Sequence, residues 1–214
     1  MKSERNYGID LLRLVLMYMV CILHTLGQGG ILRACELGTT KYRTFWFIEI
    51  LAYCAVDGFA IISGYTAADK PRKFEKLADM WFQAFFYSFV LTVILTIAGL
   101  NPGWSVKGMI KSAMPVTFGT FWYFTAFFAL FFAIPILNRF VFSVDKQTAR
   151  IMLLVMLALF SCIGLPADAF KMNWGYSALW LMVLYCVGAL ARRGGYLNKR
   201  VQSLWPLCGW PVYS

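Results

Sequence analysis

Charge is what this sequence has least of. Of its 214 residues only 14% are charged, against 60% hydrophobic and 18% aromatic; a soluble domain averages about 25% charged. A chain of this size folded in water has no room for so much apolar side chain in a single core, so its natural solvent is lipid. Histidine is nearly absent as well: His24 is the only one, which excludes a multi-histidine metal centre. The six cysteines form no CxxC pair and no zinc-type spacing, and most lie in apolar runs where a free thiol behaves as a small hydrophobe. No small-residue cleavage pattern follows the first apolar stretch, which Asp10 and Arg13 interrupt, so it reads as a retained span and not as a secretory leader. There is no repeat, no low-complexity tract and no soluble segment. The net charge of +10 comes from 20 Lys and Arg against 10 Asp and Glu. These cations cluster between apolar runs and do not join into a groove-binding stripe, so nucleic acid is not an expected partner.

What the sequence does contain is apolar runs of membrane-spanning length. Six are expected to cross: Gly8 to Leu26, Phe45 to Tyr65, Met80 to Leu100, Phe121 to Leu137, Ile151 to Leu165 and Tyr176 to Ala191. A span needs roughly 17–25 residues, and the last three stand at or just under that limit. The fold expected is an all-α polytopic transmembrane bundle, residues 1–214 forming one membrane domain. A further apolar run, Leu204 to Tyr213, holds Pro206 and Pro211 and resembles the beginning of an incomplete seventh helix.

The cations orient the bundle. With the N-terminus in the cytoplasm, 13 Lys and Arg fall in cytoplasmic segments and 6 in outer ones, as the positive-inside rule requires. Trp46, Trp81, Trp104, Trp122 and Trp174 sit near span ends, where amphipathic rings anchor in the headgroup zone.

The first span carries an unusual set of ionisable groups. Arg13 and His24 are eleven positions apart, so at ~3.6 residues per turn they share an azimuth to within about 20° and are separated along the axis by ~16 Å. Asp10 precedes Arg13 by three and can pair with it. Ionisable groups in a span cost at least ~2.5–3.5 kcal/mol at mid-membrane, so this face is expected to meet a bundle interior or a wet cavity. The plainer alternative is an interfacial Asp10–Arg13 pair with His24 in the outer headgroups. His24 is the one side chain whose ordinary titration range suits proton transfer near neutral pH. Asp57 lies in the second span with Glu49 further outward; it holds a polar cavity, partners a cation or takes part in catalysis. Ser63-Gly64 is expected to end that helix by a backbone turn.

Several of these residues resemble the acyltransferase-3 family of multi-span membrane acyltransferases. The matches are Gly-Ile-Asp-Leu-Leu-Arg13, the ten-residue gap to His24, the Phe59-Ala-Ile-Ile-Ser-Gly-Tyr65 run, and the segment from Trp122 to Asn138 ending Ala-Ile-Pro-Ile-Leu-Asn. The Val56-Asp-Gly-Phe-Ala60 variant is similar to the membrane domain of vancomycin-type serine racemases, a branch of that family. Members usually carry roughly ten spans of about 20 residues, so the chain resembles the N-terminal portion. Where many members have Arg-x-x-Arg after the second span, Lys73 and Lys76 stand at similar spacing, without the bidentate fork of arginine.

The resemblance implies transfer of an acyl group, most often acetyl, from cytoplasmic acyl-CoA to a hydroxyl on an extracytoplasmic glycan or small molecule, at the cell membrane. It implies no permanently bound cofactor and no metal; acyl-CoA is the donor substrate, and the lipid bilayer and the acceptor are the other partners. His24 would be the general base, Arg13 would hold donor phosphate or a pantetheine carbonyl, Asp10 would orient Arg13, and Lys73 and Lys76 would attract the nucleotide. The rival readings are a transporter or flippase subunit, for which charged stripes also serve, and an inactive fragment. Oligomeric state and acceptor identity are open.

Overall fold

A computed structural model describes residues 6–67, 74–100, 105–164, 168–170 and 172–195. Among them the chain is helical, with turns and short loops between helices and no strand. Four continuous helical stretches are long and apolar enough to cross a bilayer: Tyr7–Gln28, Thr40–Ala67, Phe74–Ile97 and Trp122–Ser143. They cover the first four expected spans.

The first stretch is α1 (Tyr7–Leu23) running into a π-turn, His24–Gln28. It begins at Asn6, whose side chain accepts from the Ile9 amide, and Asp10 in the first turn complements the helix dipole. A short α2 (Ile31–Ala34) follows the left-handed Gly30. The second stretch is α3 (Thr40–Ala52) and α4 (Cys54–Ala67), divided at Tyr53. The third comprises α5 (Phe74–Phe85), a π-turn (Phe86–Val90) and α6 (Leu91–Ile97), with the short α7 (Val106–Ala113) beside it. The fourth, α8 (Trp122–Ser143), includes Pro135 and runs on through Asn138 and Arg139 to Ser143. The helix is therefore longer than its apolar run: polar residues end the hydropathy window, but none of them breaks a helix.

The last two expected spans are also helical. The fifth is α9 (Lys146–Leu157) continued by a π segment, Ala158–Gly164. The sixth is α10 (Ala178–Gly194), started by a Ser177 side chain that accepts from the Trp180 amide and stopped at left-handed Gly195. Its 17 residues reach ~26 Å. The Leu204 to Tyr213 run, Lys73 and Trp104 lie outside the described residues.

This helix is the centre of the bundle. It packs against α4, α8 and α9, and it is buried almost all round, with Leu181, Tyr185, Ala189 and Leu190 fully enclosed. Small residues allow the approach. A Cβ placed on Gly64 would collide with the Tyr185 carbonyl, and one on Gly188 with the Ile61 carbonyl. Two glycines on facing helices thus let the backbones of α4 and α10 touch, the packing mode that replaces hydrophobic drive inside a membrane. This corrects the turn expected at Ser63-Gly64: α4 continues to Ala67, and Gly64 is a packing surface. By contrast α1 keeps Leu11, Leu14, Met17 and Tyr18 exposed, a face for lipid.

Arginines close one end of the bundle. The Arg193 guanidinium donates twice to the Val144 carbonyl (3.1 and 3.0 Å), Arg150 donates twice to the Gly194 carbonyl (3.2 and 3.1 Å), and Arg192 donates to the Tyr65 carbonyl at 3.1 Å. Carbonyls at or beyond the C-terminal ends of α4, α8 and α10 are thereby satisfied by cations suited to that end of the helix dipole.

Candidate active site

The end of the bundle away from these arginines holds a cavity of about 510 Å³. The C-terminal end of α1 and its π-turn contribute Val20, Leu23, His24, Gly27 and Gln28. The α3–α4 pair contributes Glu49, Tyr53, Val56 and Asp57, and the starts of α8 and α10 with the loop before α10 contribute Trp122, Gly175, Tyr176 and Trp180. Of the face expected to meet a bundle interior or a wet cavity, His24 lies on this cavity, whereas Asp10 and Arg13 lie outside it.

His24 opens the π-turn, in which the Gly29 amide donates to the His24 carbonyl five residues back at 2.8 Å. A widened turn of this kind commonly marks a functional position. The imidazole Nδ1 lies 2.9 Å from Gln28 Oε1. A carbonyl-type oxygen only accepts, so with the Gln28 amide in this orientation a neutral ring holds its proton on Nδ1 and leaves Nε2 its lone pair; the amide turned over would favour the reverse tautomer.

Two carboxylates share the cavity wall. Asp57 Oδ1 accepts from Trp180 Nε1 at 2.8 Å, which fixes both side chains. Glu49 is 5% exposed, and among the described residues its Oε2 has no hydrogen-bond partner. It interacts electrostatically with His24, and a Cβ on Gly27 would stand 3.0 Å from Glu49 Oε1. A buried carboxylate with an orphan oxygen is costly, and such costs are concentrated at functional positions in membrane proteins. Aromatic rings complete the wall: Trp122 packs on Tyr176 with centroids 4.7 Å apart.

Arg13 and Asp10 are not among the residues of this wall. They form a separate cluster towards the arginine end, where Arg13 Nη1 meets Asp10 Oδ1 at 3.4 Å and Nη2 donates to Thr66 Oγ1 at 3.5 Å. The Asp10–Arg13 pairing read from the spacing is present, and both side chains are part-exposed, 33% and 45%. Lys76 lies exposed on α5, whose first residue Phe74 packs edge-on against Phe131 of α8. Among the described residues Lys76 makes no bond to Arg13.

Spacing along one helix did not reveal Gln28, Tyr53, Trp122 and Tyr176 as cavity residues, nor Glu49 as the buried partner of Gly27. For Glu49 a signal existed: it is an acidic residue in an otherwise apolar run with no cation a turn away. Trp122, expected as an interfacial anchor, is also a wall of the cavity.

Residues 6–212 match the sequence model of the acyltransferase-3 family, described as an acyltransferase domain. The chain belongs to that family, which makes it a membrane acyltransferase in general terms. No curated protein and no solved structure matches it.

Proposed function

We propose that the chain transfers an acyl group, acetyl by first expectation, from cytoplasmic acyl-CoA to a hydroxyl of an extracytoplasmic glycan or small molecule, with His24 as general base. The observation that carries this reading is the placement of His24: it lines a cavity large enough for a small acceptor, with Nδ1 2.9 Å from Gln28 Oε1, so that Nε2 is the nitrogen left for the acceptor. In the step proposed, Nε2 takes the acceptor proton as the hydroxyl oxygen attacks the thioester carbonyl carbon. The tetrahedral intermediate collapses with loss of the C–S bond, and the imidazolium returns the proton to the CoA sulfur. Base and donor-binding groups are then at opposite ends of α1. Arg13, held by Asp10 and Thr66, would grip a phosphate or pantetheine carbonyl, and Lys73 and Lys76 would draw the nucleotide in from the cytoplasm. In this orientation the arginine-closed end and the N-terminus are cytoplasmic and the cavity lies near the outer face of the cell membrane.

The test is acyl transfer from radiolabelled acetyl-CoA in membranes containing the full chain, read on hydroxyl acceptors. His24→Ala is expected to lower turnover by about 10²–10⁴ while inserting normally. Turnover near the wild-type rate would end the base assignment.

A further inference from the structure

The hydrogen bond between His24 and Gln28 carries an inference that rests on the base reading and extends it. A histidine acts as a base through one particular nitrogen, and which nitrogen is free is decided by what the other one bonds to. Catalytic histidines commonly use a buried carboxylate for this. Here the group at Nδ1 is a neutral amide, 2.9 Å away and four residues along the same segment.

We propose that Gln28 is a positioning residue that locks His24 in the Nδ1–H tautomer, so that Nε2 is presented to the acceptor hydroxyl. The local backbone is built for this contact. The π-turn spans His24–Gln28 and ends at Gly29, where an added Cβ would collide with the Thr25 carbonyl. Gly30 then takes a left-handed φ of 83°, which turns the chain out of the helix immediately after Gln28. Glycine at 29 is thus what permits the widened turn, and the turn holds Gln28 beside His24 in the cavity wall. A neutral orienter also suits the place. Glu49 already faces His24 from α3 and Asp57 lies in the same wall from α4. A further carboxylate at 28 would gather a third like charge around one imidazole.

Because the chain has one histidine, ¹⁵N-histidine labelling gives a single imidazole whose two nitrogen resonances report the tautomer directly. The full chain in lipid nanodiscs, at a pH where the ring is neutral, is expected to show the Nδ1–H form. Gln28→Glu keeps an acceptor oxygen and is expected to keep that form. Gln28→Met, similar in length but with no acceptor oxygen, is expected to shift the ring towards Nε2–H and to lower kcat at least tenfold with the KM for acyl-CoA unchanged. A wild-type ring in the Nε2–H form would overturn the proposal without recourse to any variant, as would a Gln28→Met ring still in the Nδ1–H form. An intact lock in a protein whose turnover survives His24→Ala would instead overturn the base reading and leave the lock standing.

Discussion

Trp180 Nε1 donates to Asp57 Oδ1 over 2.8 Å, joining two helices through residues 123 positions apart in the chain. The bond holds the start of α10 against α4 at the level of the cavity, so stability and site geometry depend on the same contact. Trp180→Phe keeps the ring and removes the donor. It is expected to cost about 1–3 kcal/mol in unfolding from detergent micelles, because the Asp57 carboxylate is left without its partner. Asp57→Asn retains an acceptor and should cost less. If Trp180→Phe unfolds at the wild-type midpoint, the bond has no structural weight.

The Gly64–Gly188 crossing predicts intolerance to any side chain. Both added Cβ atoms would meet backbone, which cannot move aside as a flexible side chain would. Gly64→Val and Gly188→Val are each expected to lose at least about 1–3 kcal/mol. The double variant should lose less than the sum, since helices already parted by one substitution accept the second more cheaply. Additive losses would mean that the two glycines do not report on one crossing.

Glu49 predicts a trade between stability and function. Glu49→Met removes a buried carboxylate with an orphan oxygen and should raise the melting temperature, while acyl transfer falls because the charge facing His24 is gone. Gly27→Ala should also impair transfer, since the new methyl presses on Glu49 Oε1. A less stable Glu49→Met protein would show that the carboxylate is satisfied in some way these contacts do not capture.

Arg13 predicts a kinetic split. It lies ~16 Å along α1 from His24, so its role in the proposed reaction is binding and not proton transfer. Arg13→Lys keeps charge and loses the fork that reaches Asp10 and Thr66 together. It should raise the KM for acyl-CoA about tenfold or more, the worth of roughly one charge-assisted hydrogen bond, with kcat little changed. A fall in kcat alone would move Arg13 into the chemistry.

One pH effect follows from the loop between α8 and α9. The Asp145 carboxyl is held below its ordinary range, first by the Thr148 side chain and then by the Gln147 and Thr148 amides that it caps. A group depressed in the folded state contributes stability above its unfolded value of about 3.9, and that contribution disappears as pH falls through the lower folded value. Asp145→Ala should therefore be less stable than wild type at pH 7, and the two melting curves should converge as pH falls below the ordinary carboxylate range and through the lower folded value. A constant difference across that range would exclude the carboxylate as its source.

The sequence by itself determined the helices and one line of chemistry. A span satisfies its own backbone hydrogen bonds, so apolar length alone marked the helices, and Asn6, Ser177 and Gly195 delimit α1 and α10 through strictly local bonds. The helical period likewise set Asp10 within reach of Arg13, both on one face with His24, because their geometry is intramolecular to a single helix. Tertiary structure alone decided the rest. Hydropathy cannot separate a helix facing lipid from one enclosed by other helices, since both surroundings are apolar; hence α1 and α10 look alike as sequence, although one is exposed and the other is the core. The cavity draws its wall from α1, α3, α4, α8, α10 and the loop before α10, and no periodicity relates residues on different helices. Glu49 reaches Gly27, and Asp57 reaches Trp180, across contacts between different helices, and which helices meet is a property of how they pack together.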